Sequence, residues 1–460
     1  MFWRSFPPPA RFLAIVAAGS LILILFRSAP EQTADQMQLW TFARNHMLLY
    51  EPLIKSWNRD HQPPLKAHLF SGPALERRVL SGFLSGTPTA SLIEFERSAV
   101  NATFLGPREA IGWTDLTEPI KRDGLDELIV ENSFAPWTHN GRIYGLPHDV
   151  HPVLLAYRAD IIEAAGIDLS QVETWDDYFE ALRPLMQDRD GDGHPDHAAL
   201  SFRLSSGDIE NFLLQAGGGL IDVNGEPMLT SPINARVLAH LVIWSSGPAP
   251  VTIEAPEFSN SGNSLRLQGR VLGSLMPDWL AGVWKSDLPQ LGGKLKLMPL
   301  PAWEKGGRRT TVMGGTMLGI PKANDRFGES WKAAKTLYLS EETAVQQFLT
   351  TNIITPVKQF WDLPVFSQPD PYFSGQASGQ LFIAQAPQTP PRHPSPYLQM
   401  ARSRVGEAAL ALRQYARDQD AWTVEALRPV AEELLEQQQA RVVREMSRNH
   451  FRRIQEVADR

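Results

Sequence analysis

Cysteine is absent from this 460-residue chain. The protein therefore has no disulfide, no thiolate metal site and no cysteine nucleophile. It also lacks the cysteine whose lipid modification anchors many exported bacterial proteins. This absence does not argue against an oxidising compartment, because it shows only that the fold does not depend on disulfides.

An excess of basic charge is also missing. The 44 lysines and arginines are outnumbered by 51 aspartates and glutamates, which gives a net charge of -7. No basic stripe with interleaved aromatic residues occurs, so nucleic acid is excluded as the natural partner. The G-x-S-x-G and H-E-x-x-H motifs of two hydrolase classes are absent as well. The 13 tryptophans, by contrast, are many, and they fit a site that stacks on flat amphipathic ligands.

The first 35 residues contain no apolar run of the about 20 residues that a membrane span usually needs. Arg4 and Arg11 precede a shorter apolar run over 12–26, which Arg27 closes. A basic start followed by an apolar stretch predicts an export segment, with the N-terminus inside and the body of the protein outside. No small-x-small cleavage pattern follows. Residues 1–35 are therefore predicted to be either a cleaved signal peptide or an N-terminal membrane anchor.

The segment after residue 35 has the pattern of an α/β domain. Strands are predicted over 36–42, 65–70 and 89–95, and helices over 45–60 and 73–86. Strands that alternate with helices through short turns indicate a largely parallel sheet. Because binding groups in such sheets lie at the carboxyl ends of the strands, residues 42–46 and 94–96 are predicted to face a ligand.

A second α/β region begins near residue 154. Its helices are predicted over 158–166, 175–187, 208–216 and 231–245, and its strands over 271–276 and 294–299. A strand-like stretch over 310–321, a helix over 329–349 and helices over 398–417 and 423–455 complete the prediction. The last helix is heavily charged. It either packs on the body of the protein or, although its heptads are broken, forms a dimerising coiled coil.

Five stretches carry a resemblance to a known family. They are HNGRIYGLPHDVHPVLLAYRADIIEAAGID, ETWDDYFEALRPL, GRVLGSLMPDWLAGVW, LMPLPAWEKGGRRTTVMGGTMLGIPKAND and ESWKAAKTLYLSEETAVQQFLTTNIITPVKQFW. In their order and spacing these stretches resemble the family 1 extracellular solute-binding proteins of carbohydrate ABC transporters, which include the maltodextrin-binding proteins. The resemblance covers roughly residues 36–440.

This resemblance implies a two-lobed periplasmic-binding-protein fold of type II topology, with hinge crossovers and a C-terminal helical segment. The first lobe is expected over 36–147 plus 308–355, the second over 150–305 plus 356–440, and a charged helical tail over 441–460. The implied function is capture of a sugar or oligosaccharide between the lobes outside the cytoplasm, and its delivery to ABC permease subunits. No catalysis is implied.

The candidate binding residues follow from sugar chemistry, because sugars present hydroxyl edges and apolar CH faces. Trp279, in a Pro-Asp-Trp turn with Asp278 after a strand, is predicted to stack on a sugar, although a core position is the alternative. Asp149 and His151, just past the GLP strand, are predicted to bind hydroxyl groups. A metal pair formed by His148 and His151 is the alternative there, but no third ligand with sensible spacing follows.

Further candidates follow from position in the predicted sheet. The strand ends supply Arg44, Asn45, His46, Glu94 and Glu96, the glycine pair supplies Gly314 and Gly315, and the start of a late helix supplies Tyr397. The two glycines are expected to let the backbone approach the ligand or the hinge. The other residues are expected to contact the ligand directly.

The stretch DRDGDGHPD resembles a calcium-binding loop. Asp188, Asp190 and Asp192 occupy loop positions 1, 3 and 5, the His194 carbonyl occupies position 7 and Asp196 position 9. Position 12 holds alanine instead of the bidentate glutamate, so the EF-hand pattern is incomplete. Because the four carboxylates repel one another unless a cation lies among them, a structural calcium ion is predicted. A solvated acidic turn is the alternative.

Two other functions remain open from the sequence. An exported, membrane-anchored glycan hydrolase would need a pair of carboxylates about 5–10 Å apart across the scissile bond, and no recognisable catalytic motif supplies one. A ligand-sensing module would pass occupancy of the site to a partner through the long C-terminal helix.

Overall fold

The structure is a computed structural model that describes residues 36–188, 191, 195–204 and 206–451. The predicted export segment over 1–35 lies outside the described residues. So do three of the predicted calcium ligands, Asp190, Asp192 and His194. Within the described part of the chain, no helix is long and apolar enough to cross a membrane.

The larger of the two main sheets has five strands in the order β2-β1-β3-β12-β6. Its strands are β1 (Met37–Thr41), β2 (Leu65–Leu69), β3 (Leu92–Glu96), β6 (Leu146–Pro147) and β12 (Thr316–Gly319). The first three are parallel, and β12 runs antiparallel between β3 and β6. The predicted parallel sheet is therefore confirmed, and the ends of β1 and β3 lie at the same edge.

The second main sheet has three antiparallel strands in the order β10-β7-β11. These strands are β7 (Val153–Arg158), β10 (Gly273–Pro277) and β11 (Leu295–Pro299). In the central strand, Leu155 packs in one hydrophobic core while Leu154 packs in another. Helices therefore cover both faces of this sheet, which explains why the strand is an almost continuous apolar run.

Four short strands form two small ribbons. They are β4 (Thr138–His139), paired with β5 (Arg142–Ile143), and β8 (Leu200–Ser201), paired with β9 (Thr252–Ile253). The β4–β5 hairpin turns through Asn140 and Gly141, which both have positive φ. This conformation matches the twist of a two-residue hairpin loop.

Seventeen α-helices lie in the described residues. They are α1 (Arg44–Asp60), α2 (Gly72–Ser85), α3 (Arg97–Ala102), α4 (Thr117–Arg122), α5 (Leu125–Leu128), α6 (Glu131–Phe134), α7 (Ala159–Ala164), α8 (Trp175–Leu182), α9 (Ser206–Gln215), α10 (Pro232–Ser246), α11 (Asn260–Leu267), α12 (Asp278–Asp287), α13 (Phe327–Leu339), α14 (Glu341–Thr351), α15 (Ser378–Gln385), α16 (Leu398–Asp418) and α17 (Val424–Met446). Short 3₁₀ turns occupy Arg108–Ala110, Ala135–Trp137, Arg183–Leu185, Pro289–Leu291, Lys358–Phe360, Pro364–Ser367, Pro371–Phe373 and Ala386–Gln388.

Three predicted elements differ from the structure. The predicted helix over 329–349 is two helices, because Ser340 has extended backbone and its side chain accepts a hydrogen bond from the Thr343 N–H as the N-cap of α14. The predicted strand over 310–321 is limited to β12, because Gly314 and Gly315 have φ of 105° and 124°. Helix α8 ends at Leu182, where a proline-containing 3₁₀ turn follows.

The last two helices are part of the second core. Leu427, Leu435, Val442 and Met446 of α17 are buried there with Leu412 of α16. The structure therefore agrees with a helix packed on the body of the protein. The helix ends at Met446 instead of 455. The exact lobe boundaries, and the separation of a tail at residue 441, stay predictions.

Candidate functional site

A cleft of about 510 Å³ opens at the carboxyl edge of the five-stranded sheet. Its lining residues are Phe42, Ala43, Arg44, Asn45, His46, Glu96, His151, Phe258, Trp279, Val283, Gly314, Gly315, Thr316, Thr351 and Ile353. The lining comes from the ends of β1 and β3, the start of α12 and the glycine pair before β12. The structure thus brings eight predicted site residues together: Arg44, Asn45, His46, Glu96, His151, Trp279, Gly314 and Gly315.

Trp279 forms the apolar wall of the cleft with Phe258. The two rings are nearly parallel, with an interplanar angle of 8° and centroids 6.2 Å apart. The indole Nε1 donates a hydrogen bond to the Met313 carbonyl at 2.9 Å, which holds the Trp279 ring against the glycine pair. Phe258 is 69% exposed and has a φ of 57°. The cleft therefore presents two aromatic faces that no interaction within the protein fully covers.

His151 lies beneath this wall between two carboxylates. Its Nε2 is 2.9 Å from Asp149 Oδ2, and its Nδ1 is 2.6 Å from Asp278 Oδ1. Burial lowers the pKa of His151, but Asp149 and Asp278 outweigh it and raise that pKa to about 10. Burial likewise opposes ionisation of Asp149, yet His151 holds the pKa of this carboxyl well below its usual range. The three side chains form a buried cluster whose central imidazole is positively charged.

Asp278 connects this cluster to the backbone. Its Oδ2 accepts the Ile354 N–H at 2.9 Å, and its Oδ1 accepts the Trp279 N–H at 2.8 Å. Asp278 is fully buried, and Asp149 does not line the cleft either. Both predicted binding residues therefore lie behind His151, where they position it.

Gly314 fills the narrow space above His151. A Cβ atom at this position would lie 2.8 Å from His151 Cδ2 and 2.8 Å from Trp279 Nε1, and the φ of 105° is unfavourable for other residues. The predicted close backbone approach is thus present. In the structure, the groups that Gly314 approaches are His151 and Trp279.

Glu94 lies under the cleft in a second buried cluster. Its carboxylate accepts hydrogen bonds from Tyr50 OH at 2.5 Å, from Tyr338 OH at 2.6 Å and from the Thr41 hydroxyl. Burial raises the pKa of Glu94, but the neighbouring His46 and the hydroxyl donors lower it to about 2. Glu94 is fully buried and does not line the cleft, so the structure gives this predicted binding residue a place in the support below it.

His46, Glu94 and His148 are close enough to hold a metal ion. One ligand atom from each lies within 4.8 Å of the others. His46 Nδ1 is 3.0 Å from Glu94 Oε2 but outside hydrogen-bond geometry. His148 Nε2 is buried and has no hydrogen-bond partner among the described residues. His148 Nδ1 lies 3.3 Å from Asp149 Oδ2, an arrangement found behind metal-bound imidazoles. The set differs from the alternative that the sequence offered, because His148 is grouped with His46 and Glu94 and not with His151.

The polar rim of the cleft is formed by α1 and by the end of β3. Arg44 is exposed and Asn45 is half-buried, and within the described residues neither side chain makes a hydrogen bond. The Glu96 carboxylate accepts the Ser98 N–H at 2.9 Å and so caps α3. Arg44 and Asn45 thus keep their hydrogen-bonding capacity for a ligand, while Glu96 retains only part of its own.

Some predicted residues lie elsewhere. Tyr397 lies in a separate groove, where its hydroxyl accepts a hydrogen bond from Asn449 Nδ2 at 2.9 Å. In the acidic loop, Asp188 Oδ1 accepts the Gly191 N–H at 2.7 Å, and the Asp196 N–H donates to the Gln187 carbonyl at 3.0 Å. Neither group lines the cleft.

Several lining residues were not predicted. They are Phe258, Val283, Thr316, Thr351 and Ile353. Phe42 and Ala43, by contrast, lie in the range 42–46 that the strand-end rule predicted to face a ligand. Phe258 lies in a loop between β9 and α11, and the sequence contains no local signal for its position.

The family of the chain follows from comparison of its sequence. Residues 108–344 match the family described as bacterial extracellular solute-binding protein. The chain belongs to this family. The predicted family relationship is therefore confirmed, and the cleft is the candidate solute-binding site of the protein.

Individual relatives agree with this assignment. An arabinooligosaccharide-binding protein of Halalkalibacterium halodurans is 28% identical over 356 residues, which cover 74% of this chain and 75% of the relative. A protein of the same description from Bacillus subtilis is 27% identical and covers 64% of this chain and 67% of the relative. A lactose-binding protein of Rhizobium radiobacter is 23% identical, covering 70% of this chain and 74% of the relative.

Solved structures show the fold. The sugar-binding protein MalE of Xanthomonas citri is similar with a TM-score of 0.66 and 17% identity, over 87% of this chain and 98% of that protein. An ABC substrate-binding protein of Listeria monocytogenes, solved with cycloalternan, has a TM-score of 0.65 and 14% identity, over 90% of this chain and 99% of that one. The predicted two-lobed solute-binding fold is confirmed.

Proposed function

We propose that this solute-binding protein captures a sugar or oligosaccharide in the cleft and delivers it to the permease subunits of an ABC transporter. The observation that carries the proposal is the pairing of two aromatic faces, Trp279 and Phe258, with polar groups at the strand ends. Aromatic rings stack on the apolar faces of sugars, while amide, guanidinium and carboxylate groups bind the hydroxyl edges. The arabinooligosaccharide-binding and lactose-binding relatives support a carbohydrate ligand.

Each cleft residue has a proposed role. Trp279 stacks on a sugar ring, and Phe258 extends the same apolar wall. Arg44 and Asn45 contact hydroxyl groups from the rim, because their side chains are not engaged within the protein. His151 orders the floor of the cleft, since both of its ring nitrogens are engaged by the two carboxylates behind it. The roles of Glu94 and Tyr397 in ligand binding stay predictions.

Calorimetric titration with neutral oligosaccharides tests the proposal. Arabinotriose and lactose are suitable probes, since relatives are described as binding sugars of these kinds. Trp279→Ala should weaken binding by about tenfold or more, because a stacked aromatic contributes about 1 kcal/mol or more beyond area burial. Tyr415→Ala, at an aromatic residue outside the cleft with 39% exposure, is the matched control and should bind as the parent does. Failure of every neutral and acidic saccharide to bind would contradict the proposal.

We propose binding without turnover, because the family consists of solute-binding proteins. A labelled oligosaccharide incubated with the protein should be recovered at its original length. Release of shortened products would instead favour the exported glycan hydrolase.

We also propose that residues 1–35 direct export and leave the body of the protein outside the cytoplasm, in agreement with the extracellular family. The segment then acts as a cleaved signal peptide or as an anchor in the inner membrane. N-terminal sequencing of the protein recovered from cells distinguishes these two forms. Recovery of the body in the cytoplasm would overturn the proposal.

The acidic loop is proposed to bind calcium as a structural ion. Asp188 and Asp196 start and end the nine-residue motif, and the carboxylates between them need a cation to offset their repulsion. Calcium should raise the melting temperature of the parent but not of Asp190→Ala or Asp192→Ala. An identical melting temperature of the parent in calcium and in chelator would exclude a stabilising ion.

A further inference from the structure

A second pocket, of about 260 Å³, lies next to the cleft. Three arginines line it: Arg97, Arg308 and Arg392. Gly217, Gly218 and Gly219 also line it, together with Asp222, Glu210 and His393. We call this space the arginine pocket. Its lining holds three guanidinium groups, whereas the lining of the cleft holds one.

Arg392 is buried in this pocket without a partner. The residue is 7% exposed, and among the residues that the structure describes its guanidinium makes no hydrogen bond and no ion pair. Burial, followed by repulsion from Arg97, lowers the pKa of Arg392 to about 9. Burial of a guanidinium without a counter-ion costs free energy of folding. The burial of Arg392 therefore indicates a functional role.

The neighbouring carboxylates are already engaged. Glu210 Oε1 is 2.9 Å from Arg97 Nη2, and Glu210 Oε2 accepts from Arg402 Nε at 2.7 Å. Asp222 Oδ1 accepts the backbone N–H groups of Asn224 and Glu226, both at 2.9 Å. Neither carboxylate forms an ion pair with Arg392.

Positive charge is therefore in excess in this region. Arg97, Arg392 and Arg402 surround the single carboxylate of Glu210. Arg308 donates to the Leu214 carbonyl, a neutral group that leaves its charge uncompensated. Of the groups that line the pocket, three guanidinium groups face the two carboxylates of Glu210 and Asp222, which leaves an excess of one positive charge. An anion entering the pocket would compensate this excess in a poorly solvated place.

The arginine pocket adjoins the cleft through one glycine. Gly315 lines the cleft, and its carbonyl accepts the Arg97 N–H at 3.0 Å. A Cβ atom on Gly315 would lie 3.0 Å from Arg392 Nη2. The guanidinium is thus separated from the cleft by the thickness of the Gly315 backbone, so an oligosaccharide reaches it only by extending around Gly315.

We propose that the arginine pocket is an anion subsite of the cleft and that it holds the carboxylate of an acidic sugar residue, such as a hexuronate within an oligosaccharide. This inference rests on the proposed carbohydrate-binding function. The planar guanidinium of Arg392 matches a carboxylate through two parallel N–H···O bonds, and charge-assisted bonds of this kind are the strong ones. Gly217, where a Cβ atom would have no neighbour within 4 Å, leaves space on one side of the pocket.

Calorimetric titration with trigalacturonic acid and with its neutral methyl ester tests the inference, since the two probes differ in charge and in the esterified carboxyl groups. The parent should bind the acid at least about tenfold more tightly than the ester. Arg392→Gln should remove most of this preference. Arg417→Gln, at an exposed arginine of α16, should retain it.

The outcomes separate the inference from the proposed function. Equal affinity for acid and ester in the parent, or a preference that persists in Arg392→Gln, overturns the anion subsite. If arabinotriose still binds in those cases, the carbohydrate-binding function stands. If no saccharide binds at all, both the anion subsite and the carbohydrate-binding function are contradicted. An Arg392-dependent preference for a sugar phosphate over the uronate would overturn the carboxylate assignment.

Arg392→Lys is the control for a folding defect, because it keeps the positive charge but loses the planar guanidinium group. This variant should melt as the parent does and should retain part of the preference for the acid. Loss of the preference without any change in the affinity for the ester is the result that a merely structural arginine would not produce.

Discussion

Two buried charge clusters flank the cleft, and they differ in balance. In the His151 cluster, one imidazolium lies between Asp149 and Asp278, and the backbone N–H groups of Thr316 and Ile354 also donate to these two carboxylates. In the arginine pocket, the Arg392 guanidinium has no partner in the described residues. Charges that are satisfied within the protein support the site. A charge that the protein leaves uncompensated is available to a ligand.

The largest effect is expected when the balanced cluster is broken. Asp278→Asn removes one carboxylate from His151 while keeping the side-chain size, and removal of one partner from a buried pair costs about 3–5 kcal/mol. Urea unfolding should show this loss in the free energy of unfolding. Asp287→Asn, at an exposed position of the same helix, should change it by less than about 0.5 kcal/mol. A comparable loss in both variants would remove the distinction between the two clusters.

A smaller loss is expected at the glycine that covers this cluster. Gly314→Ala should reduce the free energy of unfolding by about 2–3 kcal/mol, because the new Cβ meets His151 and Trp279 at a strained φ. Gly72→Ala, where a Cβ would have no neighbour within 4 Å, serves as the control and should be nearly neutral. Thermal unfolding measures both. An unchanged Gly314→Ala variant would mean that the floor of the cleft is not tightly packed.

The pH dependence of stability should identify the charge of His151. Its pKa is raised in the folded protein to about 10, so its contribution is fully present below about pH 6.5 and is lost as the pH rises towards 10. Between pH 7 and 9 the free energy of unfolding should fall by about 2 kcal/mol. His151→Gln should flatten this slope. Urea unfolding at several pH values makes the measurement, and an equal slope in the variant would place the titration elsewhere.

The smallest expected effect is a gain in the free energy of unfolding instead of a loss. In the absence of ligand, Arg392→Gln should raise the free energy of unfolding by about 1 kcal/mol at pH 7, because it removes a buried charge that lacks a partner. Arg417→Gln should leave it unchanged. If Arg392→Gln instead destabilised the unliganded protein by several kcal/mol, Arg392 would belong with the balanced cluster.

Residues close in sequence to strand ends were predictable. The α/β pattern of the first hundred residues placed Arg44, Asn45 and Glu96 at the cleft, because the carboxyl ends of parallel strands share an edge. Trp279 followed from its position after a strand. The same rule also selected Glu94, which lies two residues before the end of β3 and is fully buried in a cluster below the cleft instead.

The clusters themselves were not predictable from local pattern. His151 and Asp278 are 127 positions apart in the chain, and Arg97 and Glu210 are 113 apart. Their contacts depend on how whole strands and helices pack. Sequence spacing likewise paired His148 with His151, whereas the folded sheet groups His148 with His46 and Glu94.

Hydrophobic periodicity, turn residues and the order of the strands decide the α/β class of this protein and the edge at which its site lies, since these depend on neighbours a few residues apart. The packing of distant segments decides which charges are neutralised, because a carboxylate and its cation are brought within 3 Å only when the elements that carry them are in place. Asp278 therefore supports the cleft, whereas Arg392, in a proline-rich loop without sequence features of a site, remains available to a ligand.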